Sequence, residues 1–157
     1  SDAESLILRT KTASDAATPA GNGTMVQVLA RLFYITGDAD YRTRAGATVA
    51  ALSVEAVRGF PHACTILSGF LLLEEAVHVA IVGHPDSTET KALLAAAHGA
   101  AEPGIIVSVI EDTAALPPGH PARGKTKVGG RATAYVCRGP VCDAPVTDAA
   151  ELTAALV

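Results

Sequence analysis

Large side chains are scarce in this chain. It has no Trp, three Phe, three Tyr and one Met, and aromatics make up only 4% of its 157 residues. A core must therefore be assembled from small and medium aliphatics, and the aromatic platforms that stack sugars or bases are few. Charge is sparse as well, at 18% of residues with a net of −4. That leaves no basic face for nucleic acid or for an anionic membrane, and neither partner is expected. Three cysteines, Cys64, Cys137 and Cys142, are too few for a secreted scaffold stapled by disulfides, and they favour a reducing, cytoplasmic compartment. The most apolar stretch, 63–82, is interrupted by Glu74, Glu75 and His78, so it falls short of the about 20 clean apolar residues of a spanning helix. No secretory leader is visible. The chain opens on Ser1 and has its Met at position 25, which reads as a processed product or a piece of a longer protein.

Several signatures are missing too. No G-x-G-x-x-G, G-x-S-x-G or H-E-x-x-H occurs, and His62, His78, His84, His98 and His120 are scattered without ligand spacing. No metal or cofactor is expected. What the chain does have is alanine, roughly a fifth of its residues, arranged with clear periodicity.

Residues 5–11 read as a short strand or arm, and 14–23 as a loop. Met25, Val28, Leu29, Leu32 and Phe33 recur at helical spacing, and Gly37 ends that helix. Asp38 or Asp40 caps a second, whose stripe is Tyr41, Ala45, Thr48, Val49, Leu52 and Ala56. Gly59 closes it, and Pro61 is placed to open a third carrying Ile66, Leu67, Phe70, Leu71 and Leu73, with Cys64 as a small core residue. Ala45, Ala63 and Gly69 are small enough for close helix approach. After Ala76 the pattern changes. Residues 77–83 read as a buried strand, and Asp86 with Glu89 as a capping box for a helix over 87–98. Residues 104–110 read as a second buried strand. Together these make a βαβ unit. A long loop, 112–131, with room for a short helix near 113–116, leads to a strand at 132–137. Thr147 or Asp148 then caps a helix over 149–156. The expected fold is α/β: a helical lobe, 1–76, packed on a small three-stranded, mainly parallel sheet with flanking helices, 77–157.

Four constellations carry possible chemistry. GHPARGKT, 119–126, satisfies the phosphate-loop pattern. That loop needs a strand before it and a helix after Lys125 and Thr126. The preceding AALPP and following KVGGR oppose both, so the match is read as false, and the segment as a basic surface loop with Arg123, Lys125, Lys127 and Arg131. Cys137 and Cys142 flank a Gly139-Pro140 turn; a disulfide or redox pair, half a metal site, and two plain thiols all remain open there. Asp15 and Asn22 flank the loop before the first long helix, where Asn22 is read as a cap and both as candidate cleft residues. Glu111 and Asp112, with His84 and Asp86, sit at the C-terminal ends of the two predicted parallel strands, where open α/β sheets bind ligands. Glu74 and Glu75 are adjacent on a helix and do not face each other.

Three runs carry a resemblance. TPAGNGTMVQVLARLFYITGDADYRTRA, 18–45, resembles a P-S-G-N segment followed by a helix pair. VHVAIVGHPDSTETKALL, 77–94, fits the βα unit that follows. GGRATAYVCRGPVCDAPVTDAAELTAAL, 129–156, is similar to a tail in which a Tyr-Val-Cys strand leads to Cys, Pro-Val-Thr and a closing helix. Together they resemble the C-terminal portion of thioredoxin-domain-containing proteins related to spermatogenesis-associated protein 20. The resemblance implies a thioredoxin-like domain, then an α/α toroid similar to six-hairpin glycosidases and sugar epimerases, then this tail. The chain would hold only the last toroid helices and the α/β end. Ala20 stands where that motif usually has Ser, so a hydroxyl is missing from the loop. The resemblance supports three expectations. One is a carbohydrate-related parent, with a sugar ligand in its toroid and a fragment inactive alone. Another is a redox role for Cys137 and Cys142 with the missing thioredoxin-like domain. The third is a structural or interaction module that self-associates through an exposed helical face.

Overall fold

The computed structural model describes residues 11–157. The strand or arm read over 5–11 lies, apart from Lys11, outside the described residues. The element order is α1 (Gly21–Thr36), α2 (Ala39–Arg58), α3 (Cys64–Glu75), β1 (Val77–Val82), α4 (Thr88–His98), β2 (Ile105–Ile110), β3 (Thr133–Arg138), β4 (Val141–Cys142) and α5 (Ala149–Ala155). The α/β class holds, and so do the βαβ unit and the closing helix.

The three N-terminal helices share a core of Val26, Leu29, Ala30, Tyr34, Ala45, Leu52, Ala56, Ile66, Leu72 and Leu73. On α2 the buried face is the one its spacing predicts. On α1 and α3 the face is turned by about one residue: Met25, Val28, Phe70 and Leu71 are exposed, while Val26, Ala30 and Leu72 are buried. The cause is close packing of α1 on α3. A Cβ at Gly23 would lie 2.7 Å from the Ile66 backbone nitrogen, and one at Gly69 would lie 2.8 Å from a Val26 methyl. The smallest side chains therefore define the contact line, and the larger aliphatics sit to either side. Asp38 caps α2 by accepting from the Asp40 N–H at 2.9 Å. Pro61 does not open α3. It follows a cis peptide after Phe60, in the turn before the helix. Cys64, expected in the core, is exposed at the first position of α3, where its Sγ lies 3.0 Å from the Pro61 carbonyl.

The sheet has the order β2-β1-β3-β4 and is mixed. β1 and β2 run parallel with Val77 opposite Ile105; β3 runs antiparallel to β1, with Val77 opposite Arg138; β4 is antiparallel to β3. The expectation of three mainly parallel strands is corrected here. Residues 111–132 contain no helix, only turns, bends and an isolated bridge between Val128 and Arg131, and the 113–116 segment is one of the turns. Nothing carries the chain back along the sheet, so β3 starts beside the end of β1 and returns antiparallel. The short β4 is the arm of a hairpin too brief to show a periodic pattern.

One face of the sheet, with Val77, Val79, Ile81, Ala134 and Val136, packs on α4 and α5 through Leu93, Ala97, Leu152 and Leu156. The opposite face takes the helical lobe through Ile106 and the long loop through Ala80, Ile110 and Ala122. Ser87, not Asp86, caps α4, accepting from the Thr90 N–H at 3.1 Å. Glu89 then has no role in a capping box and accepts instead from the Ala132 N–H at 3.0 Å. Asp148 caps α5. No helix among the described residues is long and apolar enough to cross a membrane.

Candidate functional site

The cysteine pair is joined. Cys137 and Cys142 are direct register partners on β3 and β4, and a disulfide links them across five residues. Gly139 takes a positive φ of 58° in the turn between, a conformation that L-residues disfavour. The two sulfurs differ in setting. Cys137 is 2% exposed, whereas Cys142 is half-buried and lines a cleft of about 540 Å³.

That cleft lies between the helical lobe, the long loop and the β3–β4 hairpin. Its walls include Phe33, Tyr34, Arg42, Pro121 and Pro140. Arg42 is fixed at several points. Its guanidinium donates to the Leu73 carbonyl at 2.8 Å and to both Glu74 carboxylate oxygens at 3.0 and 2.9 Å. It also lies 5.5 Å from the Phe33 ring centre. The cleft thus carries a planar cation held in place, an aromatic wall and the less buried cysteine of the disulfide.

Beneath it runs a polar seam that the sequence reading missed. His78 is 1% exposed at the second position of β1, with its Nε2 2.8 Å from the Ser108 hydroxyl of β2. Its Nδ1 has no partner and is buried. Burial, reinforced by His120 and Lys125, pushes its pKa down to about 4, so the ring is neutral at pH 7. The His120 ring centre is 5.9 Å from that of His78, and the Tyr34 ring centre 6.1 Å. His120 is fully satisfied: its Nε2–H donates to the Ile35 carbonyl at 3.0 Å, and its Nδ1 accepts from the Ala122 N–H at 3.0 Å. The Tyr34 hydroxyl donates to the Leu73 carbonyl at 3.2 Å. The seam ties α1, β1, β2 and the long loop together. One signal for it was present in the sequence: a lone His inside the otherwise apolar run VHVAIV.

The other sequence-predicted residues fall elsewhere. Asp15 accepts from the Ala20 N–H and the Thr65 N–H, both at 2.8 Å. These bonds, the one from Ala20 foremost, hold its carboxyl below the usual value. Asn22 caps no N–H; its side-chain amide donates to the Thr12 carbonyl at 3.0 Å and borders a groove that Asp15 does not reach. The two do not converge on one cleft. Lys125 and Thr126 form no phosphate cradle: the Lys125 ammonium sits 4.4 Å from the Tyr135 ring centre, and the Thr126 carbonyl accepts from the Tyr135 hydroxyl at 2.7 Å. No strand precedes that segment and no helix follows it. At the strand ends, His84 lies 3.7 Å from Glu111, an exposed pair, while Asp86 faces Lys91 at 3.4 Å and Asp112 accepts from the Ala114 N–H. No cluster of three or more metal-ligating side chains is present among the described residues.

No family model matches the chain, and no solved structure does. The chain resembles spermatogenesis-associated protein 20. It is 30% identical over 152 residues to the rat protein, covering 94% of this chain and 19% of the relative. The mouse protein matches to the same extent. Similarity at this level makes the chain a distant homologue of those proteins, and it spans 19% of their length. The matched stretch includes nearly all of both lobes, so the cleft and the hairpin lie within the part of the relatives that aligns.

Proposed function

We propose that this chain works as one part of a longer protein of the kind it resembles, and contributes a thiol–disulfide couple at the cleft between its two lobes. The observation that carries this reading is the asymmetry of the Cys137–Cys142 pair: one sulfur is buried and the other borders an accessible cleft. Exchange proceeds by attack of a thiolate on the sulfur it can reach. A dithiol partner attacks Cys142 Sγ, and the S–S electron pair passes to Cys137 Sγ, which takes up a proton. The partner's second thiolate then attacks the partner's own sulfur in the mixed disulfide and releases Cys142 as the thiolate, which takes up the second proton. The chain gains two electrons and two protons, and the partner leaves as its disulfide. In a cytoplasmic setting, which the cysteine usage favours, such a bond is an exchanging one rather than a staple. Asp15 and Asn22, the residues that would motivate a carbohydrate role for this chain, bond to backbone groups and do not converge on one cleft.

Thiol counting under native conditions tests this. The oxidised chain is expected to show one reactive thiol, Cys64, and millimolar dithiothreitol to release two more without denaturant. Rapid alkylation followed by peptide mapping is expected to label Cys142 before Cys137. A disulfide that opens only after unfolding would make the bond structural and sink the reading.

A further inference from the structure

Antiparallel register sets His78 of β1 directly opposite Cys137 of β3. Directly opposed residues leave the sheet on the same face, with Cβ atoms about 4.5–5.5 Å apart. Both are buried, at 1% and 2% exposure. In the disulfide form the Cys137 sulfur is committed to Cys142, on the far side of β3 from β1, and His78 keeps an unpartnered Nδ1. An unsatisfied buried polar nitrogen is costly, and native interiors rarely keep one.

We infer that His78 is the positioning residue of the Cys137–Cys142 couple: when the disulfide opens, the Cys137 thiol rotates toward β1 and donates to His78 Nδ1, which favours the reduced form. This rests on the thiol–disulfide reading above. In the tautomer this requires, His78 carries its hydrogen on Nε2, within 2.8 Å of the Ser108 hydroxyl, and the lone pair of Nδ1 is the free acceptor. The groups that face the ring are Tyr34 from α1, Ser108 from β2, Cys137 from β3, and His120 and Lys125 from the long loop. Tyr34 and His120 are already engaged with backbone groups, and Ser108 is bonded to the other ring nitrogen. Lys125 lies over Tyr135, and its positive charge disfavours protonation of the ring. Among these groups, the thiol that reduction creates is the new donor.

The experiment is a redox titration of the full chain against a dithiothreitol buffer, paired with long-range 1H–15N spectra of the wild-type histidines in both redox states. Reduction is expected to move the His78 Nδ1 resonance while those of His120 stay in place. His78→Leu is expected to lower the equilibrium constant for reduction roughly tenfold, about 30 mV for a two-electron couple. His78→Gln, which retains an acceptor, is expected to recover part of that loss. A reversible couple with an unmoved His78 signal and equal potentials would overturn this inference and leave the thiol–disulfide reading standing. An irreducible disulfide would fail that reading first, and this inference with it. The wild-type spectra decide the matter even where a variant does not fold.

Discussion

Asp15 shows how one carboxylate fixes a junction. Its two oxygens accept from the N–H groups of Ala20 and Thr65, so it serves the starts of α1 and α3 together. Each is a charge-assisted bond to a donor that the helix itself cannot satisfy. Asp15→Ala is therefore expected to lower the urea midpoint at pH 7, and Asp15→Asn to lower it less, because the amide keeps one acceptor. Since the folded carboxyl lies below its ordinary value of 3.8, this contribution is full above that value and disappears as pH falls through the folded one. The wild-type advantage should shrink in strong acid; an advantage of the same size at pH 2 and pH 7 would contradict the assignment. Sequence showed a carboxylate in a loop beside a helix start, and nothing in it separates a cleft acid from a backbone tie. The deciding partner, Thr65, is 50 residues away. His78 was closer to legible, because a polar residue in a wholly buried strand demands a partner wherever it occurs.

At the scale of elements, the docking of the long loop onto the helical lobe turns on Gly37. It ends α1 with a φ of 73°, and a Cβ there would come within 2.7 Å of the His120 Cα. Both the left-handed backbone and the approach of a second chain segment require the missing side chain. Left-handed conformation alone costs an ordinary residue about 1–2 kcal/mol, so Gly37→Ala is expected to destabilise by at least about 2 kcal/mol once the collision is included. Chemical denaturation measures it, and a loss below half that would mean the loop yields easily. Ser87→Ala removes the cap of α4 and is expected to cost about 1 kcal/mol, whereas Asp86→Ala should cost little. Gly37 was readable as a helix end because left-handed glycine is local chemistry. The loop that packs on it was not, since residues 111–132 have no period to betray their path. The same loop explains why the direction of β3 escaped the sequence. Periodicity gave the existence and limits of nearly every helix, but the faces of α1 and α3 were read about one residue off, because their contact line runs along Gly23 and Gly69, which carry no apolar signal.

For the whole molecule, the polar seam makes cohesion between the lobes depend on pH. His78 titrates near 4 in the folded chain and near 6.5 when unfolded, mainly because it is buried and secondarily because His120 and Lys125 oppose its charge. Between those values the unfolded chain holds a proton that the native one excludes. Stability is thus full above about pH 6.5 and falls on acidification toward pH 4, by on the order of 3 kcal/mol for a shift of this size. Asp15 and Glu55 do not account for that window, because their carboxyls are held below the ordinary range. Urea midpoints measured at intervals from pH 7.5 to 4 should fall steadily in the wild type and less steeply in His78→Leu, where His120, its own pKa lowered by burial, still contributes. Equal slopes in the two proteins would place the acid sensitivity elsewhere. Because the seam joins α1, β1, β2 and the loop, early acid loosening should appear as amide exchange at Ile35, His78 and Ala122 before it reaches Leu93 of α4 and Leu152 of α5, which pack on the opposite face of the sheet.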